Sequence, residues 1–130
     1  MQNPTNQDSY EELRKRAETF YIKIERVWSP ALSDHVIFKR SGFQHLIWKG
    51  GRPRPKSEQK RRFYSLIHVE KIISNPDARF LHEQRGNAQF WTFTENRGGK
   101  IIKVIIQQIG EGKKHFLSVF EKNKKSPNKE

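Results

Sequence analysis

The chain has no cysteine, a single methionine and only 33% hydrophobic residues. The first absence excludes disulfides, thiol catalysis and cysteine-ligated zinc. The five histidines are scattered, with no HxxxH or HxH spacing, so the sequence carries no metal motif and neither a metal nor a cofactor is expected. Long apolar runs are missing too. None approaches the roughly 20 residues that span a bilayer, and no signal-peptide pattern precedes the first charges. A soluble protein acting in the cytoplasm, with no membrane partner, is the expectation. Acidic residues are also scarce, 14 against 26 Lys and Arg, which leaves a net charge of +12. On a folded domain that imbalance is the electrostatic footprint of a polyanionic partner.

What is present is aromatic and basic. Nine Phe, three Trp and three Tyr concentrate burial in large side chains, so 130 residues suffice for one domain. Residues 1–8 and 122–130 are polar or charged and read as a frayed N-terminus and a flexible tail, leaving a single basic domain over 9–121. Met1 favours a free-standing gene product, although a domain cut from a larger toxin and expressed alone would begin the same way.

Ser9 and Glu12 form a capping box. Tyr10, Leu13, Ala17, Phe20, Tyr21, Ile24 and Trp28 then recur at helical steps, which predicts an amphipathic helix from Tyr10 to about Val27. A short strand over His35–Lys39 leads to a helix capped by Ser41 and ended by Gly50-Gly51 near Lys49. Pro53 and Pro55 predict an extended connector, followed by a helix capped by Ser57 and running to about Ser74. After Pro76 the period changes to two, and four β-branched and aromatic runs at 79–83, 89–94, 100–107 and 115–120 alternate with Gly-containing turns. The expected class is α+β, with N-terminal helices on one face of a C-terminal four-stranded antiparallel sheet whose other face is open to single-stranded nucleic acid.

Residues 49–62 hold seven cations, Lys49, Arg52, Arg54, Lys56, Lys60, Arg61 and Arg62, against Glu58. They follow directly on His45 and Trp48, which share a helix face with Lys49 if the helix reaches that far. Metal-free RNA cleavage needs a base for the 2′-hydroxyl, an acid for the leaving oxygen and cations for the charge that develops on phosphorus. Histidine suits the proton transfers. His45 is therefore the first candidate, although a histidine there also suits packing at a helix–sheet junction. Lys49, Arg52, Arg54 and Lys56 are phosphate candidates, as are Arg61 and Arg62 unless these line a solvated helix face. Trp48 is a base-stacking candidate.

Strand alternation places Lys103 on the open face with Ile105. A two-residue turn at Glu111-Gly112 would put Ser118 opposite Ile105 on that face, whereas a three-residue loop would bring His115 there instead. The commoner two-residue turn favours Ser118. Thr92 and Thr94 can offer hydroxyls from the neighbouring strand, and His35, His68 and His82 have no supporting cluster.

The segments Val36–Gly50, Arg52–Arg62 and Lys113–Phe120 resemble the barnase, EndoU, colicin E5/D and RelE-like superfamily of bacterial and phage-borne toxin nucleases. The resemblance implies a metal-independent endoribonuclease that leaves a 2′,3′-cyclic phosphate, acting on RNA such as tRNA and neutralised by an acidic immunity protein or antitoxin. Delivery from another cell is part of the same implication. It also implies a helix histidine, basic residues and a late-strand Ser or Thr, which fall here on His45, on Lys49, Arg52 and Arg54, and on Ser118. No carboxylate stands where a barnase-like base is expected, since Glu83 and Glu95 lie at strand ends. A non-catalytic nucleic-acid-binding module is the competing expectation, and a domain that binds an acidic protein or membrane surface is a weaker third.

Overall fold

A computed structural model describes residues 9–122. Helix α1 (Tyr10–Ile24) starts where the capping box predicts, with the Ser9 hydroxyl accepting from the Glu12 amide at 3.0 Å, and it buries Leu13, Ala17 and Tyr21. It stops earlier than the periodicity predicts. Glu25 takes a positive φ of 60°, and the next residues turn back as β1 (Arg26–Ser29), paired with β2 (Asp34–Ile37). Trp28, expected on the buried helical stripe, is an exposed strand residue, and Phe20 is exposed as well.

Helix α2 (Arg40–Ile47) is shorter than expected, and Lys39 rather than Ser41 occupies its N-cap. Trp48 is already extended. It opens a small hairpin of β3 (Trp48–Lys49) and β4 (Arg52–Pro53) whose two-residue turn is Gly50-Gly51. Both glycines have positive φ, 58° and 84°, the primed-turn backbone that glycine adopts without strain. Lys49 therefore faces Arg52 across the hairpin and does not share a helix face with His45. Helix α3 (Lys56–Ser65) begins after Pro55, not at a Ser57 cap, and continues through a 3₁₀ turn (Leu66–His68) into α4 (Val69–Ser74).

Strands β5 (Phe80–Arg85), β6 (Ala88–Arg97), β7 (Lys100–Ile109) and β8 (His115–Lys122) form the expected meander. The sheet is larger than four antiparallel strands. The β1–β2 hairpin adds beside β8 through one parallel contact, Ile37 with His115, giving a mixed order β1-β2-β8-β7-β6-β5. Lys122, assigned to the tail, still pairs with Ile101, while the rest of that tail (123–130) and residues 1–8 lie outside the described residues.

The helices cover the sheet face that carries Ile102, Val104, Ile106, Phe93, Phe116 and Val119, all buried. Burying each such side chain stabilises the fold by roughly 1.5–3 kcal/mol. Tyr21 ties α1 to the entry of α2 by donating to the Lys39 carbonyl at 2.6 Å, and burial pushes its phenol pKa upward. Gly42 is required by close packing, because a Cβ there would stand 2.8 Å from the Phe116 carbonyl oxygen. That contact seats α2, the helix that carries His45, against β8.

Candidate functional site

The site forms where the hairpin returns into α3 along the edge of β8. Arg54 is fixed through its backbone, donating from its amide to the Ile47 carbonyl at 2.7 Å while its own carbonyl accepts from Gln59 Nε2 at 2.7 Å. Gln59 is buried and also accepts from the Tyr10 hydroxyl, so the return strand is clamped from the helix side. The Arg54 side chain donates from Nε to the His45 carbonyl at 3.0 Å and from Nη1 to Glu58 Oε2 at 2.9 Å.

One turn along α3, Arg62 bonds the same Glu58 oxygen from Nε and Nη2, at 3.1 and 2.9 Å. Its Nη1 reaches over the β8 edge to Ser118 Oγ at 2.9 Å and the Val119 carbonyl at 3.3 Å, and its guanidinium carbon lies 5.4 Å from the centre of the Phe120 ring. The two guanidinium side chains are only 11% and 12% exposed, so this is a built-in cluster and not a solvated helix face. Two arginines on one carboxylate leave the cluster a net positive charge. Burial alone would raise the Glu58 pKa, but Arg62 and Arg54 outweigh it and hold the carboxyl below its usual range. Burial, and next the charge of Arg54, lower the Arg62 pKa, and a guanidinium remains cationic nonetheless. A cleft of about 180 Å³, lined by Glu58, Arg61, Arg62, Phe120 and Glu121, opens beside the cluster.

The register resolves Ser118 and His115 together. Ser118 faces Ile105 as the two-residue turn predicts, but a β-bulge follows, so Phe116 pairs with Ile106 and His115 with Gln107. Ile105 and Gln107 share a face, and cross-strand partners do too. The extra residue, Leu117, thus puts Ser118 and His115 both on the sheet side away from the helices, where the sequence offered one or the other, and both side chains are buried there, 6% and 8% exposed. His115 Nε2 lies 3.0 Å from Gln107 Oε1, which orients the ring. Burial lowers the His115 pKa, and the charges of Lys39 and then His45 push it down further. The His45 pKa falls through partial burial and then the charge of Arg54. Its ring remains accessible at the rim.

Other candidates stand apart. Trp48, Lys49 and Arg52 are exposed on the β3–β4 hairpin. Lys56 lies 4.7 Å above the Tyr10 ring on the other side of α3, whereas Arg61 is exposed between the cleft beside the cluster and a second small cleft with His68 and Lys100. Lys103 donates to Thr94 Oγ1 at 2.9 Å farther along the open face, with Thr92 two residues before Thr94 on the same strand. His35 touches Trp28, His82 stacks on Trp91, and His68 stays near Lys100. Glu83 and Glu95 pair with Arg85 and Arg97.

Sequence reasoning missed Glu58 and Gln107. Glu58 had a signal, since 54, 58 and 62 are spaced by four, but Pro55 between the first two hides that they share a side. Among the described residues no group of three or more His, Cys, Asp or Glu side chains is placed to hold a metal ion. No protein-family model matches the chain, and no curated protein or solved structure is significantly similar to it.

Proposed function

We propose that the domain is a metal-independent endoribonuclease that cleaves single-stranded or looped RNA. One arrangement supports the reading: two nearly buried arginines share Glu58, one of them holds Ser118, His45 stands exposed at the rim, and His115 lies buried on the same sheet side as Ser118. The scissile phosphate would lie over Arg54, Arg62 and Ser118. Ser118 already accepts from Arg62, so its own O–H is left to donate to a phosphate oxygen.

In the reaction, one histidine removes the 2′-hydroxyl proton as the 2′-oxygen bonds to phosphorus. The bond to the 5′-oxygen then breaks, and the other histidine gives that oxygen its proton. The products are a 2′,3′-cyclic phosphate and a 5′-hydroxyl. Arg54 and Arg62 stabilise the charge on the phosphorus oxygens, with Lys103 adding to the field from farther along the face. Lys49, Arg52 and Trp48 on the hairpin, with Lys56 and Arg61, gather the RNA backbone and stack a base. The resemblance to barnase, EndoU, colicin and RelE-like toxins points to the same chemistry in the cytoplasm. It also points to silencing by an acidic immunity protein or antitoxin covering the cationic hairpin.

A second reading, a nucleic-acid-binding module without turnover, has one observation in its favour: Glu58 Oε2 accepts three guanidinium bonds, as a purely structural carboxylate would. The two readings separate on incubating the protein with total RNA and tRNA in excess EDTA, beside His45→Ala, and analysing product ends. Cleavage by wild type alone, with cyclic phosphate ends, is the expected result. Binding without cleavage would sink the nuclease and leave the binding module.

A further inference from the structure

The open face extends past His115 onto the β1–β2 hairpin. Ile37 is the strand neighbour of His115, so the two share a face, and His35 lies two residues back on the same side of β2. Across the hairpin Arg26 stands opposite Ile37 and Trp28 opposite His35. Their neighbours Val27 and Val36 are buried in the core, which confirms that the Trp28 side faces outward. The step from Ile37 to His35 is about 7 Å and each strand adds about 5 Å, so Trp28 lies within a nucleotide or two of His115.

Trp28 is 49% exposed, and its ring is held by a T-shaped contact with His35, centroids 5.0 Å apart. The hairpin under it is braced. Asp34 accepts from the His35 amide at 2.8 Å and from Lys114 at 3.0 Å. Arg26, exposed on the same face two residues before Trp28, adds a cation.

We propose that Trp28 and Arg26 form a single-stranded nucleic-acid subsite that continues the phosphate site onto the β1–β2 hairpin, Trp28 stacking a base and Arg26 meeting the adjoining phosphate. A rigid aromatic face beside a cation, continuous with a positively charged site, is what sequence-tolerant recognition of single strands needs. The inference rests on the reading of the partner as RNA.

The test is fluorescence anisotropy with a labelled 2′-O-methyl decaribonucleotide, which lacks the attacking hydroxyl, at several salt concentrations. Trp28→Ala should weaken binding roughly 5- to 150-fold with the salt slope unchanged, since it removes stacking and no phosphate contact. Trp28→Phe should restore much of the affinity, which separates stacking from a folding defect. Arg26→Gln should lower the slope by about 0.7. Wild-type affinity and slope in both Trp28→Ala and Arg26→Gln would overturn the subsite while leaving the RNA reading standing. No binding by the wild type would overturn both.

Discussion

One cationic run, residues 49–62, becomes two kinds of surface. Its first part, Lys49 and Arg52, is displayed on a Gly-Gly hairpin in full contact with solvent. Its second part, Arg54 and Arg62, is folded onto Glu58, with little of either side chain exposed. The charges are alike and the physics is not. Exposed cations act through a screened field and set how strongly and how fast a polyanion arrives. Cations fixed by a carboxylate and the backbone hold a geometry, which transition-state stabilisation requires and attraction does not. On the proposed nuclease reading, affinity belongs to the hairpin and chemistry to the cluster with its two histidines.

That division is open to breakage at several points. The largest effect is expected from His45→Ala, which should slow cleavage by roughly 10²- to 10⁴-fold while leaving thermal unfolding unchanged, because the ring is at the surface. Next, Glu58→Ala removes the shared acceptor and leaves Arg54 and Arg62 facing each other. It should cost about 2 kcal/mol in urea unfolding, in the range of hydrogen bonds to charged groups, and an unchanged midpoint would show that Glu58 does not hold the cluster.

The histidines make a smaller prediction with a definite sign. Both have pKa values held below 6.5, by burial first and then by neighbouring cations. Catalysis needs one neutral and one protonated, so kcat/KM should peak below pH 6.5. Above the peak it should approach a tenfold fall per pH unit as the acid form is lost. A plateau extending to pH 8 would exclude the pair. The smallest effect belongs to the hairpin: Lys49→Gln with Arg52→Gln should reduce the salt slope of RNA binding by about 1.4, at 0.7 per contact, with no change in stability.

The parts of this picture that were legible in the sequence have local causes. The Ser9 cap, the Gly-marked turns of the meander and the alternation that buries Ile102, Val104 and Ile106 each depend on residues within a few positions of one another. The β1–β2 hairpin was not legible, because Trp28 falls by accident on the helical spacing of α1 and the break at Glu25 carries no Gly, Asn or Pro. Nor was the bulge at Leu117, which no turn residue announces and which alone lets His115 and Ser118 share a face. Lys49, Arg52 and Arg54 read alike from composition. Their separation into displayed and clamped residues depends on Gln59, Ile47 and Glu58 closing on Arg54, contacts that only the assembled hairpin and helix create.

The most direct test of the division is single-turnover cleavage of a short labelled RNA at saturating protein, where affinity drops out and only the chemical step is read. We expect the Lys49→Gln, Arg52→Gln double variant to cleave at the wild-type rate and His45→Ala to lose at least a hundredfold, about the lower bound for a lost acid–base group. Equal losses in both, or a loss confined to the hairpin variant, would contradict the account.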